Sequence, residues 1–317
     1  MDGTARTPSA LGEFLRTRRA RLRPEDVGVV PYGARRRVPG LRREELAQLA
    51  GVSVAYYTRL EQGQSANASQ AVLDALATAL RLTDDERAHL RHLARPGRAG
   101  RRAPQRAETV RPATRQLLAA MDAVPAVVMG RRYDILAWNA LGHALTAGHL
   151  DPDAPDRPAD RPNAQRMLFL DPHTRELHPH WDEEARRAVA SLRLAAGEAA
   201  DDRGFAELVG ELSMKSPEFA ALWSRHPVSN CTTGTKTFHH PVVGRFDLAF
   251  EMLRTADGSG HRLLLFSAAP GTPDEAALRL LAASTQASTQ ASTHGSPYAS
   301  TQVSAQARTS DALTRSE

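Results

Sequence analysis

The chain has 317 residues, 41 of them basic and 36 acidic, for a net charge of +5, and 41% are hydrophobic. That length suits two domains at roughly 100–200 residues each, and the apolar content can fill their cores. No apolar run approaches the roughly 18 residues that span a bilayer, Arg16, Arg18, Arg19 and Arg21 interrupt the first apolar stretch, and Cys231 stands alone. From these features no membrane span, secretory leader, internal disulfide or multi-cysteine metal site is expected, and a soluble cytoplasmic protein is. Charge is unevenly spread: residues 1–115 carry 22 basic against 12 acidic side chains, and the remainder 19 against 24. A basic first third ahead of an acidic body points to a polyanion-binding module joined to a second unit.

In chain order, residues 9–95 read as successive helices. Ser9 can cap the first, which carries Leu11, Phe14, Leu15 and Leu22 at helical spacing. Residues 24–40 are rich in Pro and Gly and predict an irregular loop holding Arg35, Arg36 and Arg37. A second helix is expected over 41–50, stopped at Gly51, and a third from Ser53 to about Gln62. Another follows over 69–80. Thr83 and Glu86 then form a capping box for a helix reaching Leu93. Residues 96–112, with Pro104, Pro112 and many arginines, predict a basic linker without regular structure.

The second unit, 113–281, mixes both periods. Strands are expected at 126–129 and 133–138, then a helix over 139–145 and a Pro/Asp-rich loop at 151–162. Helices follow over 181–196 and 204–223, and strands at 235–239, 246–254 and 262–267. Strands, helices and strands again predict an α+β domain with an antiparallel sheet. From 282 to 317 the chain repeats A-S-T-Q with few charges, which predicts a disordered, low-complexity tail.

Residues 42–63 carry the most information. Two short helices joined at Gly51-Val52-Ser53 make a helix-turn-helix, with small Ala47 at the crossing and Val52, Tyr57 and Leu60 pinning the second helix. Its outward face then presents Ser53, Val54, Ala55, Tyr56, Thr58, Arg59 and Gln62, which suits the major groove of duplex DNA. Arg59 can pair with guanine, Thr58 can bond a base, and Val54 or Ala55 can meet a thymine methyl. Arg42 and Arg43, at the start of the preceding helix, suit phosphates, as do Arg35, Arg36 and Arg37.

The stretch L-R-R-E-E-L-A-Q-L-A-G-V-S-V-A-Y-Y-T-R-L-E-Q-G resembles the helix-turn-helix of XRE-type bacterial regulators, and R-R-R-V-P-G ahead of it narrows the likeness to MmyB-like regulators. N-A-Q-R-M-L-F-L-D-P, H-W-D-E-E-A, P-E-F-A-A-L-W and H-P-V-V-G in the second unit agree. The resemblance covers about 9–281. It implies a lambda-repressor-like helical domain, then a PAS-like domain with a hydrophobic cavity for a fatty-acid-like ligand. Met129, Trp138, Leu168, Phe169, Trp223, Phe238, Phe250, Met252 and Leu264 could line such a cavity, and Arg166, Lys236, His239 or His240 could anchor a carboxylate.

Enzyme signatures are missing. The sequence has no G-x-S-x-G elbow, no phosphate-binding glycine loop, no H-E-x-x-H, and no cofactor motif. His173, His178 and His180 lie near Asp171 and Asp182 without metal-site spacing. The expectation is a ligand-responsive, homodimeric, sequence-specific transcription regulator without cofactor or metal. An adaptor that uses the helical domain for protein contacts is the alternative, and an enzyme in the second domain is a weaker one.

Overall fold

The computed structural model describes residues 9–28, 40–64, 68–94, 108–199 and 202–294. Five helices form the first domain: α1 (Ala10–Arg21), α2 (Arg43–Leu49), α3 (Val54–Glu61), α4 (Gln70–Ala79) and α5 (Asp84–Leu93). Side-chain caps start four of them. The hydroxyls of Ser9, Ser53 and Ser69 accept from the amides of Gly12, Tyr56 and Val72, and Thr83 and Glu86 complete their reciprocal box. Phe14, Leu15, Leu46, Tyr57, Leu60, Leu76 and Leu90 fill the core. The expected loop contains a short 3-10 turn at Pro24–Val27. Arg35, Arg36 and Arg37 lie outside the described residues.

The second domain is a five-stranded antiparallel sheet with helices on both faces. Its strands, β1 (Ala126–Met129), β2 (Ile135–Trp138), β3 (Thr233–His240), β4 (Gly244–Arg254) and β5 (Arg262–Ser267), stand in the order β2-β1-β5-β4-β3. Placing the first hairpin beside the last strand puts residues far apart in sequence on one concave face. Alternation sorts the side chains. Val127, Met129, Met252 and Leu264 join a core cluster with α8 (Ala164–Leu170), α10 (Trp181–Glu198), α11 (Arg203–Lys215) and α12 (Pro217–Ser224). Ala126, Val128, Leu263 and Leu265 point the other way and pack with Leu118 of α6 (Pro112–Ala119). Farther along the face that carries Met252 and Leu264, α7 (Ala140–Ala147) and α13 (Pro273–His294) cover Phe238, Phe246, Leu248 and Phe266.

Several elements depart from expectation for local reasons. Pro112 begins α6, since its missing amide and fixed φ suit the first helical turn. Just before it, Val110 is buried on the sheet and Glu108 pairs with Arg131 at 3.1 Å. Tyr133 has φ +67°, so β2 starts at Ile135. The expected 204–223 helix is broken at Ser216-Pro217, where Ser216 caps the new helix by accepting from the Phe219 amide. Helices α8 and α9 (Pro172–Leu177) lie where none was expected, capped by Asn163 and Asp171. The tail is also corrected: α13 runs through His294, so its first residues are helical rather than disordered. Leu278 and Leu281 bury one side, alanines favour the helix, and Ser284 and Thr285 donate back to the Leu281 carbonyl. Residues 295–317 lie outside the described residues.

The two domains are in contact. Leu194 of α10 and Val228 belong to the core cluster of the helical domain. Gly197 of α10 lets the chain approach α5, since a Cβ there would stand 2.5 Å from His89 Cε1. Arg18 of α1 donates to the His226 carbonyl at 2.8 Å, and Asp85 accepts from the Asn230 amide at 2.7 Å.

Candidate functional site

The helix-turn-helix is built by a sharp stop between α2 and α3. Gly51 takes φ +64°, which lets its amide donate to Gln48 and the Val52 amide donate to Ala47. This closes α2 and aims α3 across it. Tyr57 and Leu60 are fully buried, and Ala47 sits at the crossing.

A buried carboxylate that sequence reading missed then fixes three helices together. Glu61, at the end of α3, accepts from Arg19 Nε of α1 at 2.7 Å, Arg43 Nε of α2 at 2.6 Å and the Tyr57 hydroxyl at 2.6 Å. Burial alone would raise its pKa, but Arg19, Tyr57 and Arg43 hold it below the usual carboxylate range. Close approach of α1 makes this geometry available: a Cβ on Gly12 would overlap the Glu61 carbonyl oxygen. Arg43, expected on phosphate, therefore also serves the scaffold, although its side chain remains half-exposed. Arg42 pairs with Glu44 at 3.4 Å.

The outward face of α3 is largely open to solvent. Ser53, Val54, Ala55, Arg59 and Gln62 are exposed, and Thr58 and Tyr56 are half-buried. Val54 leaves 46% of its surface open, so an apolar group on this face is free to make contacts. Arg59 lies with its Cζ 5.9 Å from the Tyr56 ring centre and makes no ion pair among the described residues. A convex helix with open apolar, hydroxyl and cationic groups matches the mixed chemistry of base edges.

The concave face of the sheet encloses a cavity of about 160 Å³. Of the residues proposed from the sequence, Met129, Leu168, Lys236, Phe238, Phe250, Met252 and Leu264 line it. Six other expected residues lie elsewhere, His239 among them on the exposed side of β3. Phe169 is packed edge-on against Trp181 and Phe219, and Trp223 stacks on Phe219. The Trp138 indole donates to the Pro152 carbonyl at 2.8 Å, and Arg166 pairs with Glu211 on the surface at 2.8 Å. His240 is buried with its Nε2 3.0 Å from the Ala144 carbonyl.

The cavity's polar side comes largely from α9 and α10. Glu184 forms ion pairs with Lys236 and, at 2.9 Å, Arg187. Burial opposes the charge on Glu184, but Lys236, His178 and Arg187 leave its pKa below the ordinary value. Burial, and then Lys236, lowers His178 to about 4, so its imidazole is neutral at pH 7. Gln165 Oε1 and His178 Nδ1 are buried without a hydrogen-bond partner. Two such orphans beside a cavity mark a place where a ligand or water can supply the missing bonds. Spacing could have revealed part of this wall, since Glu184, Ala188 and Ser191 fall on one face of a helix. Among the described residues, no group of three or more His, Cys, Asp or Glu side chains could hold a metal.

Two family models match. Residues 10–90 match a helix-turn-helix domain, and residues 110–281 match the MmyB-like transcription regulator ligand binding domain. The chain belongs to the MmyB-like regulators. It is a DNA-binding transcription regulator in which the exposed α3 belongs to the DNA-binding module and the sheet cavity to the ligand-binding module. No curated protein matches the regulator's sequence. Among its described residues, no helix is long and apolar enough to cross a membrane.

Proposed function

We propose that the regulator works in the cytoplasm as a homodimer that reads a pseudo-palindromic operator with α3, and that a small hydrophobic ligand in the sheet cavity controls this binding. In the dimer the two recognition helices enter successive major grooves about 34–36 Å apart. Arg59 pairs with a guanine, Thr58 bonds a base, and Val54 or Ala55 meets a thymine methyl. Ser53, Tyr56 and Gln62 complete the contact, and Arg42, the outer face of Arg43 and Arg35, Arg36 and Arg37 engage phosphates.

One observation supports the coupling above others: a single helix touches both the cavity and the helical domain. From Glu184 to Ser191, α10 contributes Glu184, Arg187, Ala188 and Ser191 to the cavity wall. Beyond them it contributes Leu194 and Gly197 to the contact with the helical domain. A ligand that displaces α10 therefore acts on the seat of the DNA-binding module. It changes operator affinity only to the extent that it binds one arrangement better than the other.

The ligand is fatty-acid-like, with an apolar body along Met129, Phe238, Phe250, Met252 and Leu264 and a polar end near Lys236. A cavity of about 160 Å³ is close to the ~150 Å³ that accommodates benzene, so a long acyl chain must widen it. That widening is the source of differential affinity. Mass spectrometry of small molecules that co-purify with the protein identifies the class: a long-chain acid supports the reading, and a polar metabolite contradicts it. For the DNA partner, selection by the full chain from random duplexes should enrich a two-fold symmetric site. Uniform recovery of all sequences would favour the adaptor reading instead.

A further inference from the structure

Gln165 stands in the first turn of α8, where Asn163 fixes the backbone: the Asn163 side-chain oxygen accepts from the Gln165 amide at 3.0 Å and the Arg166 amide at 3.2 Å. From there the two side chains diverge. Arg166 reaches the surface and pairs with Glu211, whereas Gln165 turns inward, 3% exposed, and lines the sheet cavity.

The Gln165 carboxamide is idle. Its Oε1 is buried without a hydrogen-bond partner, and among the described residues its Nε2 makes no hydrogen bond either. A carboxamide carries one acceptor oxygen and two N–H donors, and burying them unused is costly. Methionine would fill the same space without that cost, so packing does not account for a glutamine here. A guest in the cavity does account for it, provided that it brings the missing partners.

Charge around the cavity is already balanced. Glu184, 6% exposed, pairs with Lys236 and with Arg187 at 2.9 Å, and Arg187 also lies 3.7 Å from Glu183. Two cations thus meet two carboxylates. His178, lowered to about 4 by burial and then by Lys236, is a neutral ring whose Nδ1 is a further orphan. An ionised carboxylate entering the cavity would meet no unpaired cation among the described lining residues, and its oxygens cannot donate to Gln165 Oε1. An uncharged head that bears an N–H costs less to desolvate and supplies the donor that Gln165 lacks.

We propose that the sheet cavity selects an uncharged acyl amide, whose N–H donates to Gln165 Oε1 and whose carbonyl accepts from Gln165 Nε2, and that Gln165 sets this preference. The two bonds run side by side, carboxamide against carboxamide, while the acyl chain lies on the apolar wall. The assignment rests on the cavity being the site of a small hydrophobic ligand and specifies that ligand's head. Lys236 borders the same cavity, but Glu184 answers its charge, so a polar end near it needs no charge of its own.

Calorimetric titration of the full chain compares hexanamide with methyl hexanoate, which accepts but cannot donate, and with hexanoate, which is charged and cannot donate. Hexanamide should bind at least about tenfold more tightly than either, because only it satisfies the buried acceptor. Gln165→Met should weaken hexanamide about tenfold, leave methyl hexanoate within about twofold and so level the two. Without ligand, its unfolding midpoint should stay or rise, since an unused buried acceptor is removed. A lowered midpoint would make Gln165 a structural residue and overturn the proposal. Hexanamide no tighter than methyl hexanoate, as expected where water alone serves Gln165, overturns it on the unmutated chain. Saturable hexanoate binding that is tightest of the three and indifferent to Gln165→Met overturns it too, but leaves the cavity as a ligand site. Absence of saturable binding by all three overturns the cavity reading together with the proposal.

Discussion

Each domain carries a buried carboxylate, and the two are used differently. Glu61 accepts from Arg19, Arg43 and Tyr57 in a packed core, so its bonds join α1, α2 and α3 into one body. Glu184 is as buried, yet its partner Lys236 borders empty space, and Gln165 and His178 beside it have atoms without partners. The first arrangement is saturated and makes a rigid platform. The second is unsaturated and leaves bonding capacity for a guest. The DNA-binding domain thus places its function on an outward face that its core merely supports, whereas the sensor domain keeps its function inside.

The comparison predicts that charge can be removed at one site and not at the other. Glu61→Gln should destabilise the helical domain by about 3 kcal/mol or more, because two guanidiniums lose their counter-charge. Denaturant unfolding followed by circular dichroism measures it. Replacing the cavity pair together, Glu184→Leu with Lys236→Met, should cost less than about 2 kcal/mol, since a buried pair exchanged for apolar groups of similar size is often tolerated. Equal losses at the two sites would erase the distinction.

Overpacking gives the next effect. Gly12→Ala pushes α1 away from the Glu61 carbonyl and should cost about 1–3 kcal/mol. The same substitution at Gly210, inside α11 with open space around it, should instead stabilise by about 0.5–1 kcal/mol through helix propensity.

Acid should act on both regions through a largely buried histidine in each. A histidine whose folded pKa is depressed, as His178 is from 6.5 to about 4, binds fewer protons folded than unfolded, so stability falls as pH drops through that window. Glu61, with its folded pKa below 4.5, contributes stability that is fully present above the ordinary carboxylate value and is lost only as pH falls further. His89 of the helical domain, which burial lowers to about 3, acts in the same direction as His178, so both domains should weaken below pH 6.5. His178→Gln should flatten only the cavity domain's share of the loss between pH 6.5 and 4. The smallest effect is local. Arg81 ends α4 at φ +50°, a conformation that favours glycine by about 1 kcal/mol, and Arg81→Gly should raise stability by up to that amount.

Sequence made the helical domain legible because its signals are short-range. Gly51-Val52-Ser53 announces the turn, and Thr83 with Glu86 announces α5, within four residues of where they act. The sheet domain was readable in its strands, which alternate, and less so in its helices. Asn163 and Asp171 cap α8 and α9, but their roles appear only once the Asp134–Asn163 bridge and the cavity wall are formed. Large apolar residues gave an imperfect guide to the cavity: Leu168 faces it, while adjacent Phe169 packs against Trp181 and Phe219. The pairs that matter most in the two sites, Arg19 with Glu61 and Lys236 with Glu184, are joined by tertiary packing, and no local spacing reveals them. Disorder in the tail was read from composition, which overlooks that alanine-rich repeats can continue a helix already anchored by Leu278 and Leu281.

Readout by α3 is the central claim, and paired substitutions test it most directly. Binding of the full chain to its selected operator and to scrambled duplex is measured across a salt series for Arg59→Ala and Arg42→Ala. Arg59→Ala should lose about 1–3 kcal/mol on the operator, relax preference at one base position and leave scrambled duplex nearly unaffected. Arg42→Ala should weaken both duplexes alike and reduce the salt slope by about one. Equal losses on both duplexes for Arg59→Ala would contradict the assignment of α3 as the element that reads sequence.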